Sequence, residues 1–310
     1  MNDRRIDIIR TTSSRPELFK MTTESLLHHL KFDGEVRWLV HEDVTNGERS
    51  RKLLEYIEEV GIYDVVKVDN PPILLGSSLH WLLKQTNTPF IFSVEEDWRL
   101  IKDLNMNSVY NAMLANDDVN QISLNKRVTM THKQWFDKQE VVKNGYTLTT
   151  NMFWTLIPSL WRVGWIMSRL QPGFSGSSHA NCSYGLNNYI QKDAASKGIK
   201  CDPDWVMKNT GTYYWAGIPK KFHRWKIDEG KITNEEYDKL DNGFYFQHVG
   251  YKPYEPEKWK WPFPLPPRIK SSDGKRNPTN NFKSKWLWDE KVWNPTMPMP
   301  GDVEYEEWNK

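Results

Sequence analysis

Three consecutive carboxylates, Glu95-Glu96-Asp97, directly follow the apolar run Pro89-Phe90-Ile91-Phe92-Ser93-Val94. Acids crowded at the end of a hydrophobic strand repel one another and lose water, so they persist where a cation or hydrogen-bond donors compensate them. Residues two apart on an extended chain point the same way, which lets Glu95 and Asp97 face one ligand. Asp97 suits a hard cation such as magnesium or manganese that takes the oxygens of a diphosphate, and Glu95 suits the hydroxyls of a ribose. A solvated acidic loop is the plainer alternative.

The elements that must position these acids alternate along the first hundred residues. Residues 6–10 read as a strand, and Thr11-Thr12-Ser13-Ser14-Arg15-Pro16 as the turn into a helix that reaches residue 29. A second strand over 36–40 ends in Glu42-Asp43 and precedes a helix over 49–60. A third strand over 63–68, a helix over 75–84 and the run before Glu95 complete the series. Such spacing predicts βαβ units and a parallel sheet, with ligands beyond the carboxyl ends of the strands. The turns at 11–15, 42–43 and 95–97 are therefore expected to converge.

Beyond residue 100 the pattern becomes mixed α+β: a helix over 104–115, a strand over 119–124, one or two strands over 146–156, and helices over 159–170 and 184–196. From Tyr251 onward proline and tryptophan dominate an extended tail that wraps the body. The expected organisation is a domain over 1–250, divided into a nucleotide-binding half (1–125) and an acceptor half (126–250), followed by the tail at 251–310.

Neither GxGxxG nor GxxxxGK[ST] is present, which disfavours a dinucleotide oxidoreductase and a P-loop enzyme, and GxSxG is missing as well. The chain has 310 residues and a net charge of +2, so it is not a polycation as a whole. Its two cysteines, Cys182 and Cys201, cannot form a thiolate zinc site alone and fit a reduced compartment. The acidic, apolar-poor N-terminus shows no secretory signal, and the run from Met152 to Met167 is broken by Pro158 and Arg162. A soluble, cytoplasmic protein without a membrane span is expected.

Thr11-x-Ser13-Ser14-Arg15-Pro16 after the first strand, Ser25-Leu26-Leu27 on its helix, residues 76–82 on the third helix and residues 90–98 together resemble the GT-A family of nucleotide-sugar glycosyltransferases. The likeness covers residues 6–124, with weaker echoes to 250. It implies an α/β, GT-A-like (Rossmann-like) fold with a mostly parallel sheet flanked by helices. It also implies a nucleotide-sugar donor such as a UDP-sugar, and a divalent metal, Mn2+ or Mg2+. Glu95-Glu96-Asp97 stands where that family has Asp-x-Asp, so the resemblance assigns Asp97 to the metal and Glu95 or Glu96 to the donor ribose. Thr11, Thr12, Ser13, Arg15, Asp43 and Gly76 go to the nucleotide.

The strand Phe244-Tyr245-Phe246-Gln247-His248-Val249-Gly250 resembles the family's C-terminal histidine element and nominates His248 as second metal ligand. Neutral imidazole suits manganese, although a lone histidine at a strand end is more often structural. Inverting members of the family use a carboxylate as general base, yet no Asp or Glu occurs between Glu140 and Asp193. His179 is the candidate replacement, with Asp202 and Asp204 behind it; a helix cap is the bland reading of His179. A retaining enzyme would use the leaving diphosphate as base instead.

The acceptor is addressed by the tail. Across residues 258–288, Lys258, Lys260, Arg268, Lys270, Lys275, Arg276, Lys283 and Lys285 are offset only by Asp273 and interleaved with Trp259, Trp261, Phe263, Phe282, Trp286 and Trp288. Cations for phosphates and rings for bases suit nucleic acid, and Lys220, Lys221, His223, Arg224 and Lys226 extend the set. With that patch the chain resembles phage enzymes that add sugars to hydroxymethylated DNA bases, which require an exposed or flipped base. The patch also suits a glycan or protein-glycan acceptor, or a solvated tail anchored by its tryptophans. Rival classes are a metal-dependent phosphoesterase or nuclease and a noncatalytic nucleic-acid-binding protein.

Overall fold

Short β-branched and aromatic runs separated by amphipathic segments of helix length drive the first hundred residues into alternating strands and helices. The computed structural model describes residues 4–127, 140–151, 154–169, 190, 192, 194–199, 205, 209–216, 220–221 and 245–248. Its elements begin with β1 (Arg5–Thr12), α1 (Pro16–His29), β2 (Leu30–Lys31), β3 (Glu35–Asp43), α2 (Gly47–Val60), β4 (Tyr63–Asp69) and α3 (Leu74–Gln85). They continue with β5 (Phe90–Ser93), β6 (Trp98–Leu100), β7 (Leu104–Asn105), α4 (Met106–Leu114), β8 (Gln121–Ser123) and β9 (Lys126–Arg127). The last are β10 (Glu140–Lys143), β11 (Tyr146–Asn151), β12 (Ser159–Arg162), α5 (Val163–Met167), β13 (Thr212–Trp215), β14 (Lys220–Lys221) and β15 (Phe246–His248).

Local chemistry sets the helix ends. Pro16 opens α1, where its missing N–H goes unused. Asn46 caps α2 by accepting the Arg49 N–H at 3.1 Å, and Gly61 ends it in the left-handed conformation.

Nine strands form one sheet in the order β10-β11-β13-β8-β12-β5-β1-β3-β4. β5, β1, β3 and β4 pair in parallel, as do β13 and β8, and only β11 and β12 run against the rest. The fold is thus α/β, with a mostly parallel sheet flanked by helices. Period-two alternation assigns each strand residue to a face. Ile9, Leu39 and Ile91 pack with Leu79, Leu82 and Leu83 of α3, whereas Val40 packs with Phe19 of α1 and Leu53 and Ile57 of α2. Ile91 and Phe92 are both wholly buried, one toward each face. Burial of each such side chain contributes about 1.5–3 kcal/mol.

One expected helix is corrected. Residues 159–170 begin as β12, inserted antiparallel between β5 and β8, and turn helical only at Val163. Leu160 and Trp161 are buried on opposite faces, and an apolar run buried on both sides reads alike as strand or helix. Most of the expected helix over 184–196, and the whole tail at 251–310, lie outside the described residues.

The pairing of β13 with β8 depends on a close approach at Gly211. This residue sits at φ 58°, and a Cβ there would meet Asp118 O at 2.2 Å and Asn120 Nδ2 at 2.5 Å. Its carbonyl accepts the Asn120 N–H at 2.7 Å, which sets β13 beside β8. Gly211→Ala is expected to destabilise the protein by about 2–3 kcal/mol, adding a left-handed penalty to a backbone clash. Urea unfolding of the variant measures this, and an unchanged midpoint would contradict the tight approach.

Candidate active site

The chain steps outward from β1 to β3 to β4, then returns to the other side of β1 with β5. The crevice between the carboxyl ends of β1 and β5 is therefore the point where strand order reverses, the usual ligand position of such sheets. Thr11, Thr12, Ser13 and Arg15 stand at one lip, and Glu95, Glu96 and Asp97 at the other.

Arg15 spans this crevice. Its guanidinium bonds Glu96 Oε1, and Nη1 lies 3.5 Å from Asp97 Oδ2. Both carboxylates are almost wholly buried, and Glu95 is half-buried. Burial raises the Glu96 carboxyl above its ordinary range; Arg15 opposes that shift, while Asp97 and Glu95 add to it. Desolvation disfavours the Arg15 charge, but Glu96 and Asp97 outweigh it and raise its pKa. From α1, Thr22 Oγ1 donates to Glu96 O at 3.1 Å and Ser25 Oγ accepts the Leu100 N–H at 3.1 Å. Polar residues on an otherwise apolar helix face thus clamp the acidic loop.

Glu42, which points to the other side of β3 from Asp43, holds the turn after β1. It accepts from Ser14 N–H and Ser14 Oγ, each at 3.0 Å. Ser14 has φ 52° and its hydroxyl accepts the N–H groups of Thr45 and Asn46, both at 3.0 Å. Glu42 is wholly buried, and desolvation lifts its carboxyl above the usual range against the hydrogen bonds from Ser50 and Ser14. Nothing in the composition of the turn announced this pairing; a serine with positive φ carries no residue-type signal.

Asp43 accepts Ile73 N–H at 3.0 Å and Ser78 Oγ at 3.1 Å, so it also ties α3 to β3. Gly76 is buried in the first turn of α3, and Thr11 and Thr12 are buried at the end of β1. Ser13 Oγ lies 3.4 Å from Thr45 Oγ1. The turns at 11–15, 42–43 and 95–97 therefore meet along one sheet edge.

β15 adds the histidine. It pairs antiparallel with β6 so that His248 stands opposite Trp98, the neighbour of Asp97. Asn125, buried and overlooked in the sequence, fixes this strand by donating to Phe246 O at 2.7 Å and accepting its N–H at 3.2 Å. Phe246 is buried against Phe92, with ring centroids 6.0 Å apart. His179, Asp202 and Asp204 lie outside the described residues.

Among the described residues no group of three or more His, Cys, Asp or Glu side chains could hold a metal ion. The carboxylate of Asp97 is a hard oxygen donor of the kind that suits Mg2+ or Mn2+, which complete their shells with waters and phosphate oxygens. Among the described residues no helix is long and apolar enough to cross a membrane.

No family model and no curated protein matches the chain. Solved structures resemble it at low identity. S. aureus TarS in complex with UDP is 12% identical over 77% of this chain and 79% of that one, with a TM-score of 0.45. Another structure of S. aureus TarS is 12% identical over 59% of this chain and 33% of that one, with a TM-score of 0.44. The mannosyltransferase PcManGT from Pyrobaculum calidifontis, in complex with GDP-Man and Mn2+, is 11% identical over 72% and 60%, with a TM-score of 0.42. The chain thus spans 33% of that second TarS structure, 55% of a further one of TarS 1-349, and 60% of PcManGT.

Proposed function

We propose that this protein transfers a sugar from a nucleotide-sugar, such as a UDP-sugar, to a hydroxyl group of an acceptor, assisted by manganese or magnesium. The observation that carries the reading is the cluster of acids at the strand-order reversal, with Glu96 and Asp97 buried beside Arg15; the backbone register of His248 with Trp98 supports it. Asp97 and His248 would hold the cation, which supplies positive charge to the departing diphosphate.

The chain's own residues divide the remaining work. The Glu96 carboxylate pairs with Arg15 while its backbone oxygen accepts from Thr22, and the half-buried Glu95 is taken as the ribose acceptor of the pair named above. Thr11, Thr12, Ser13 and Gly76 line the nucleotide edge with Asp43. Arg15 neutralises the acids and offers a guanidinium to the phosphates. His179 takes the acceptor proton, with Asp202 and Asp204 as substitutes. The acceptor is read as a hydroxymethylated base in DNA, drawn to the cations and rings of 258–288 in the cytoplasm.

Thermal unfolding in the presence of nucleoside diphosphates, with and without manganese, tests this reading. A matching nucleotide at one hundred times its Kd adds about 2.7 kcal/mol of stability. The expected result is a rise in Tm of several degrees with one nucleoside diphosphate, and only with manganese present. No shift with any of them, or phosphodiester hydrolysis without sugar transfer, overturns it.

A further inference from the structure

β3 presents two residues of like parity, His41 and Asp43, to the face covered by α3. His41 is wholly buried, and its Nε2 lies 2.7 Å from Asp69 Oδ2 on β4. Lys67 Nζ lies 2.7 Å from the same carboxylate oxygen. Trp81 of α3 covers the group, 5.8 Å from the His41 ring, with Lys67 Nζ 5.2 Å from the indole. A carboxylate can only accept, so Nε2 carries the proton shared with Asp69. Burial works against the Asp69 charge, but the hydrogen bonds from Lys67 and His41 outweigh it and hold that carboxyl below its usual range.

The other nitrogen is the informative one. His41 Nδ1 is buried without a hydrogen-bond partner among the described residues, and it faces Asp43 Oδ1 at 3.8 Å. Leaving a buried polar atom unsatisfied is costly, and such atoms concentrate where a structure does something other than fold. Asp43 is pinned by Ile73 N–H at 3.0 Å and Ser78 Oγ at 3.1 Å, and the edge of the imidazole, 3.8 Å from Oδ1, sterically limits where that carboxylate can swing.

We propose that His41, anchored by Asp69 and Lys67, is a positioning residue that fixes Asp43 for the nucleoside part of the donor and leaves diphosphate binding untouched. The inference rests on the nucleotide-sugar reading above. Calorimetric titration with UDP, GDP and inorganic pyrophosphate, each with manganese, separates the two parts of the ligand in the wild type, His41→Gln and Asp69→Asn. Asp69→Asn changes a more exposed member of the relay, and so keeps the test open should His41→Gln fold poorly.

The expected result is at least a tenfold loss of affinity for whichever of UDP and GDP the wild type binds, with pyrophosphate within twofold. In turnover, donor KM rises while kcat stays within twofold. Unchanged nucleotide affinity in both variants, or equal loss of nucleotide and pyrophosphate, overturns the relay alone. A wild type that binds pyrophosphate but neither UDP nor GDP overturns it together with the role of Asp43.

Discussion

Asp97→Ala is expected to abolish the proposed sugar transfer and to leave the protein folded. Removal of one group that stabilises developing charge lowers kcat by about 10²–10³, and loss of a bound Lewis acid adds to that. The fold tolerates the change because Asp97 shares its counter-ion: Arg15 keeps Glu96 as a partner, and repulsion between adjacent buried acids is relieved. Stability is expected to stay within about 1 kcal/mol of the wild type. Radiolabelled transfer from a nucleotide-sugar, run with manganese and with a chelator, measures the effect. Full activity of Asp97→Ala with chelator present rejects the metal assignment.

Arg15→Ala has the largest expected effect on stability. It strands two carboxylates whose side chains are only 4% and 3% exposed, and breaking a buried pair from one side costs about 3–5 kcal/mol. The loss depends on pH. Glu96 has a folded pKa above its unfolded value, so the folded protein binds the proton more tightly and stability falls as pH climbs from the ordinary carboxylate range through the raised value. Without Arg15 that raised value moves higher, so Arg15→Ala is least stable at neutral and alkaline pH and recovers on acidification. Urea unfolding across that range tests the slope. Adding Glu96→Gln to Arg15→Ala is expected to restore much of the stability and flatten the dependence. Equal stability of Arg15→Ala and wild type at every pH would show that the pair does not hold the crevice.

The first half of the chain was legible because its elements obey simple periods. Apolar strands of four to nine residues and a proline at the start of α1 led to the series of βαβ units and hence to the edge where Glu95, Glu96 and Asp97 emerge. The hairpin of β10 and β11 was missed although Asn144-Gly145, both with positive φ, is its sequence signal. The partner of Glu42, and Asn125 altogether, were missed for a deeper reason. Their work is done on backbone groups of Ser14 and Phe246, 28 and 121 residues away, and such partners leave no mark on local pattern. The pairing of Glu96 with Arg15 likewise became visible only in three dimensions.

The two hydrogen bonds between the Asn125 side chain and the Phe246 backbone, one in each direction, close a loop of 121 residues to bring β15 beside β6. Closing a loop that long forfeits chain entropy before any contact repays it, so this pairing belongs late in folding. During synthesis the acids emerge and can pack against α1 long before the histidine exists. The crevice is thus assembled in two instalments, and a nascent chain halted before residue 245 would hold the carboxylates clamped by Arg15 without their aromatic strand. Arg15 serves that interval as an internal counter-ion, keeping the acidic loop compact until the C-terminal strand arrives.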